Sequence, residues 1–328
     1  MKTKAIVFRE KNKPTLEELD LPPLRPGEVR VRNLFTGVSI GTESSIFSGV
    51  RTHNGTFPLV GGYMTSGVVE ELGQGVQGLA PGDKVVTSGA RLEGEVKSVF
   101  GGHMSISVNA AASVMKVPDG ARMEDAAMFI LPRVGLNAVS MAGINEQDRV
   151  VIVGQGLIGQ FFGQFARARG ALVITAEPSE LRARLSRLYV TEHVINPFKE
   201  DLAARVDQIT GGKGATVVVE ATASKANIAA TAKLLRSRGK MVFLSWYPGE
   251  IALDYHTFHA AQATAFFPMG AGDSQTARAV LDCMASGRLV VGQNLTDLLP
   301  YTKACEGYQR IIDGDRSIMG MVFDWRGA

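Results

Sequence analysis

The sequence predicts an α/β protein centred on a doubly wound parallel sheet, and three observations carry that prediction. Val150-Val151-Ile152-Val153 is a run of four β-branched apolar residues, the composition of a strand buried on both faces. Gly154, Gly156 and Gly159 follow at once in G-x-G-x-x-G spacing. Then Gln160-Phe161-Phe162-Gly163-Gln164-Phe165-Ala166 sets apolar residues at helical intervals as far as a terminating Gly170. From about residue 122 to 245 helical patterns and short apolar strands alternate, the order that builds a parallel sheet.

The N-terminal third reads differently, as short strands and turns. Lys4-Ala5-Ile6-Val7-Phe8 is a strand, and Leu21-Pro22-Pro23 through Pro26-Gly27 is a turn-rich connector. Val29-Arg30-Val31-Arg32-Asn33-Leu34 alternates as a half-buried strand does. Gly37-Val38-Ser39-Ile40-Gly41-Thr42-Glu43 is a glycine-bounded loop, and Gly61-Gly62-Tyr63-Met64 leads into another strand. Pro81-Gly82-Asp83-Lys84-Val85 is a turn feeding a strand, and Phe100-Gly101-Gly102 precedes the next.

In the central region the glycines have separate physical tasks. Gly154 permits the tight turn, Gly156 lets backbone approach a pyrophosphate, and Gly159 lets the helix pack close to the strand; the helix N-terminus, at Leu157 and Ile158, receives the negative charge. A second strand, Ala171–Ala176, ends at Glu177, placed to bind ribose hydroxyls, with Arg182 and Arg184 close behind. The expected ligand is therefore NAD, with NADP possible. Lys213–Thr222 reads as the fourth strand with Ala221 and Thr222 at its end, Gly239–Trp246 as the fifth with Ser245 and Trp246 at its end, and Ala263–Gly270 as the sixth.

Composition excludes several function classes. The 35 basic and 32 acidic residues leave a net charge of +3, too small and too dispersed for nucleic-acid binding. Two cysteines, Cys283 and Cys305, make no disulfide framework and fit a reducing compartment. Residues 1–20 hold no apolar signal core, and no run approaches a membrane span. The expectation is a soluble cytoplasmic protein acting on a small molecule.

In this order the segments resemble the medium-chain dehydrogenase/reductase superfamily, zinc alcohol dehydrogenase type, over essentially the whole chain. The P-G-D-x-V turn, the double glycine near residue 101, the glycine fingerprint and the closing Gly320-Met321-Val322-Phe323 strand carry the likeness. The resemblance implies a Rossmann domain at 122–268 inserted in a discontinuous GroES-like, mainly-β catalytic domain at 1–121 and 269–328. It also implies a homodimer through the sixth strand of the parallel sheet.

The family's catalytic zinc takes a cysteine, a histidine and a third ligand, and here those positions hold Ile40 (or Ser39 if shifted by one), Tyr63 and Leu131. Isoleucine, tyrosine and leucine do not supply the nitrogen, sulfur or carboxylate donors that zinc needs. The expectation is no zinc. The G-x-S-x-G-T-E loop, Tyr63, the F-G-G segment and Asp324-Trp325 together resemble the bacteriochlorophyllide a dehydrogenase type, with Met64 and His103 as departures.

That resemblance implies zinc-independent, NAD(P)-dependent interconversion of a secondary alcohol and a ketone. The rivals are an NADPH-dependent enoyl or quinone reductase, and a dinucleotide-binding sensor without turnover. Without a metal, side chains must polarise the substrate oxygen and relay its proton. Thr42 matches the family's hydroxyl-relay position, against the alternative that it caps a helix. Tyr63 is either a donor to the substrate oxygen or a filler of the vacated metal position. His53 and His103 have the pKa range for acid–base work. Glu43 is the family's acidic position, and Arg133 is a candidate anion anchor. Trp246 and Tyr247 are expected to wall the pocket, and Met128, Phe129 and Met269 to be core.

Overall fold

The computed structural model describes residues 1–51 and 57–328, which form two compact units: residues 1–130 with 281–328, and residues 131–280. In the second unit, six strands make one parallel sheet in the order Val194–Ile195, Leu172–Ala176, Arg149–Val153, Ala215–Glu220, Leu235–Phe243, Thr264–Phe266. Counted from the Arg149 strand, this is the 3-2-1-4-5-6 order of a doubly wound fold, in which the chain reverses direction between its first and fourth strands. The valines and isoleucines of Arg149–Val153 and Ala215–Glu220 are buried because helices cover both faces, which is why these strands read as continuous apolar runs.

The helix Leu157–Ala168 begins directly after the glycine turn with Gly156 as its N-cap. Gly154 has φ +97°, a left-handed backbone that favours glycine, and a Cβ there would lie 2.8 Å from the Ala221 carbonyl carbon. A Cβ on Gly159 would collide with the Gly154 carbonyl oxygen. Gly156 differs from both. Its φ of −68° suits any residue, and nothing lies within 4 Å of where its Cβ would be.

The first unit is mainly β. The long strand Glu28–Val38 pairs antiparallel with Thr65–Leu72, with Ile106–Ala110 and with the C-terminal Met321–Asp324. The last pairing brings Met321–Asp324 back to a strand from the N-terminal third. A second sheet joins Lys13–Asp20, Lys2–Glu10, Leu59–Val60 and Lys97–Ser98. Phe8, Phe47, Tyr308, Phe323 and Trp325 form the apolar core beside the short helix Ile40–Phe47, with Phe8 and Phe47 stacked at 5.1 Å and Tyr308 set edge-on to both. Among the described residues no helix is long and apolar enough to cross a membrane.

Met128 and Phe129 are buried as expected, whereas Met269 is 92% exposed. It follows the last strand of the sheet, where no further strand of the unit covers it, so apolar character there does not mean core.

The glycines separate by their consequences. Gly159→Ala should lower the unfolding free energy by about 1–3 kcal/mol through overpacking, and Gly156→Ala should leave thermal unfolding nearly unchanged. Calorimetry of both variants checks this; equal destabilisation would contradict the distinction.

Candidate active site

In the first unit the chemistry converges on the start of the Ile40–Phe47 helix. Ser39 is its N-cap residue, yet its hydroxyl makes no capping hydrogen bond. Glu43 turns back instead, and its Oε1 accepts the Ser39 N–H at 2.9 Å. A negative charge in the first turn of a helix is favoured there by the macrodipole. Thr42 lies inside the first turn and is not the cap.

Glu43 is 2% exposed. Burying a carboxylate is expensive unless its lone pairs are occupied, and here they are. Oε2 accepts from His103 Nε2 at 2.9 Å and from the Tyr308 hydroxyl. His103 Nδ1 lies 2.8 Å from Thr36 Oγ1, which itself accepts the Trp325 Nε1–H at 2.9 Å. Thr36 therefore has its own hydrogen to give to Nδ1, and this order of donors puts the imidazole hydrogen on Nε2, facing Glu43. Thr36, His103, Tyr308 and Trp325 are all buried.

The imidazole has a made seat. Gly62 has φ +87°, and a Cβ on it would lie 2.5 Å from the His103 ring. The Gly102 N–H donates to the Gly62 carbonyl at 2.8 Å, and the His103 N–H donates to the Gly61 carbonyl at 3.1 Å. The two double glycines noted in the sequence thus pack together, making room for a histidine.

Tyr63 follows this seat. Its hydroxyl donates to Thr42 Oγ1 at 3.4 Å, with the Ser39 hydroxyl also beside it, and its ring tilts against Phe100 at 5.1 Å. Burial holds the phenol above its ordinary pKa, opposed by the hydroxyls of Ser39 and Thr42; the charge of Glu43 raises it further and that of Arg51 lowers it. Tyr63 is therefore a proton donor at neutral pH. His53, the other histidine candidate, lies outside the described residues.

The residues at the zinc-ligand positions do not fit the metal. Ile40 packs on the apolar core, Tyr63 sits among hydroxyls, and Leu131 is buried. Both nitrogens of His103 are already engaged. Among the described residues no group of three or more His, Cys, Asp or Glu side chains is disposed to hold a metal ion.

In the second unit the dinucleotide candidates gather at the C-terminal end of the parallel sheet. Glu177 is 4% exposed; its Oε2 accepts the Gln155 N–H and its Oε1 the Ser179 N–H, both at 2.8 Å. The carboxylate ties the end of its strand to the glycine turn. Leu157 and Ile158 open the helix, and Arg182 stands in the next helix, Glu180–Tyr189. The Ala221 N–H donates to the Val153 carbonyl at 2.8 Å, and the Ser245 hydroxyl accepts the Ala223 N–H at 2.9 Å. Trp246 is 46% exposed, while Tyr247 packs on the core of the unit.

Sequence reasoning missed Glu220. Its Oε1 accepts the Thr222 N–H at 2.9 Å and the Thr222 hydroxyl, and burial raises its pKa against these hydrogen bonds. Arg133, the anion-anchor candidate, donates to the carbonyls of Ala271, Gly272 and Asp273.

The residues fit a dinucleotide. Gly156 lacks a Cβ that neither its backbone angles nor its packing forbids, as expected of a turn that a pyrophosphate approaches closely. The comparisons agree with this. Residues 25–120 match the alcohol dehydrogenase GroES-like domain family, and residues 158–286 the zinc-binding dehydrogenase family. The chain is 30% identical over 250 residues to a 2-dehydro-3-deoxy-L-galactonate 5-dehydrogenase from Pseudoalteromonas atlantica, covering 71% of this chain and 73% of the relative. It is 30% identical over 271 residues to an alcohol dehydrogenase from Geobacillus stearothermophilus, covering 76% and 80%. An Escherichia coli oxidoreductase/dehydrogenase of unknown specificity superposes with a TM-score of 0.88 at 19% identity, covering 99% of each chain.

Burial, with the nearby charge of Glu43, holds Tyr308 well above its ordinary pKa. Above pH about 10 the unfolded chain releases this proton while the folded chain keeps it, so stability is full below that pH and falls as pH rises. Cys305, also raised by burial, adds to the same limb. Tyr308→Phe should flatten the alkaline fall in melting temperature and lower stability at neutral pH by about 1–3 kcal/mol. Melting curves from pH 7 to 11 check both.

Proposed function

The chain belongs to the medium-chain dehydrogenase/reductase superfamily, and from that premise we propose that it is a zinc-independent, NAD-dependent oxidoreductase interconverting a secondary alcohol and a ketone. The observation that carries this is the hydroxyl trio of Ser39, Thr42 and Tyr63, with Tyr63 at a metal-ligand position of the family and Thr42 at its relay position, in a chain that keeps the open Gly156 turn. The glycine turn and Glu177 would hold NAD, which when bound would supply the hydride acceptor. The remaining work belongs to side chains. The Tyr63 phenol, kept protonated by burial, donates a hydrogen bond to the substrate oxygen, and Thr42 relays the hydroxyl proton as the carbonyl forms, accepting it while passing its own hydrogen on to solvent.

NAD is preferred because the buried Glu177 carboxylate repels a 2′-phosphate. Leu157, Ile158, Arg182, Ala221, Thr222, Ser245 and Trp246 make up the rest of the cofactor surface in this reading. The substrate class is that of the named relatives, sugar acids and simple alcohols; the bacteriochlorophyllide a dehydrogenase likeness contributes reaction type and not substrate. Phe267 and Met269, exposed beside the edge strand Thr264–Phe266, support pairing of two copies, which light scattering reads directly.

A panel of secondary alcohols, polyols and sugar acids, followed at 340 nm, should give NADH with at least one member. Chelation should leave the rate unchanged, and metal analysis should find less than one zinc per chain. Turnover of enones but no alcohol, or one tightly held zinc per chain, would overturn the reading. Thr42→Val should lower kcat by about 10²–10⁴-fold with NADH binding retained, and Tyr63→Phe by less; full turnover in Thr42→Val ends the relay.

A further inference from the structure

We propose that His103 is the positioning residue of this site, clamping the backbone that carries Tyr63 to the helix that carries Thr42. The inference rests on the hydroxyl-relay reading above. His103 belongs to both halves at once. Its main-chain N–H donates to Gly61 and that of its neighbour Gly102 donates to Gly62, the two residues that precede Tyr63. Its side chain donates to Glu43, the residue after Thr42, and Glu43 in turn grips the Ser39 N–H across the first turn of the helix.

Three features make this a fixed hydrogen-bonding geometry and not a space-filling one. The Trp325–Thr36–Nδ1 chain sets the ring's tautomer and rotation. The seat opposite Gly62 leaves no room for the ring to shift. Because Glu43 holds the N-cap backbone, the Ser39 hydroxyl is spared from capping and stays beside Tyr63. Among the described residues the His103 ring bonds to Thr36 and Glu43 and to none of the three hydroxyls, so it acts through Glu43. Sub-ångström placement is what proton relays require, and here a hydrogen-bonded clamp supplies it.

The test compares two substitutions of nearly equal size in the full-length protein. His103→Gln keeps an N–H donor for Glu43, and His103→Leu fills the seat without one. With ¹³Cζ-labelled tyrosine, assigned by Tyr63→Phe, the Tyr63 resonance reads the hydroxyl contact without substrate. It should stay in place in His103→Gln and move in His103→Leu, with NADH fluorescence titration unchanged in both. For the panel alcohol oxidised fastest, kcat should fall about 10–100-fold in His103→Leu with KM little changed, and stay within about threefold of the parent in His103→Gln.

A folded His103→Leu protein with an unmoved Tyr63 signal and parental kcat overturns the proposal, as does a His103→Gln variant no better than leucine. If His103→Leu does not fold, His103→Met carries the question, since it too fills the seat without a donor for Glu43. An unmoved Tyr63 resonance there also overturns it. The two readings fail separately. Full turnover in Thr42→Val removes the relay and leaves the resonance to decide His103. A slow Thr42→Val beside a parental His103→Leu removes the clamp alone.

Discussion

The buried carboxylate of Glu43 is the constraint around which the first unit is arranged. A negative charge in an apolar core survives only when donors surround it, and the cost of leaving it unpaired exceeds that of most single contacts in a protein. Its donors come from far apart in the chain: the Ser39 N–H from its own helix, an imidazole from the strand region at 103, and a phenol from the helix Ala304–Ile312. Trp325, the residue directly after the C-terminal strand Met321–Asp324, fixes that imidazole through Thr36. The charge therefore draws the two ends of the chain together, in addition to the strand pairing that joins them.

The second unit repeats the device at smaller scale. Glu177 and Glu220 both end strands of the parallel sheet, both are buried, and both accept N–H groups from the turns that follow or adjoin them. A turn at a strand end exposes backbone donors that have no ladder partner, and a buried acid is an efficient acceptor for them. The loops that are read as holding the dinucleotide are thereby fixed before any ligand arrives. Glu220 differs in that burial outweighs its hydrogen bonds and raises its pKa.

Much of this was legible in the residues. The glycine turn was readable because each glycine answers a separate steric demand, and the structure shows two of those demands directly at Gly154 and Gly159. The absence of zinc donors at residues 40, 63 and 131 was readable because ligand chemistry belongs to residue type. Met269 was misread because apolar character predicts burial only where some element covers the side chain. The assignment of Arg133 stays open because a guanidinium serves carbonyls and anions equally well, and the carbonyls of residues 271–273 that it meets lie far along the chain.

By itself, then, the sequence determined the local chemistry: which strands are buried on both faces, where a turn must be glycine, and which residue types stand where a metal would need donors. Those properties depend on neighbours within a few positions, so periodicity and spacing express them. Tertiary structure alone decided that His103 serves Glu43, that Tyr308 and Trp325 complete the network, and that Gly62 and Gly102 exist to seat an imidazole. Those partners lie 60, 265 and 289 residues apart. No periodicity spans such distances; the pairing follows from burying a charge that must find its donors wherever the fold has brought them.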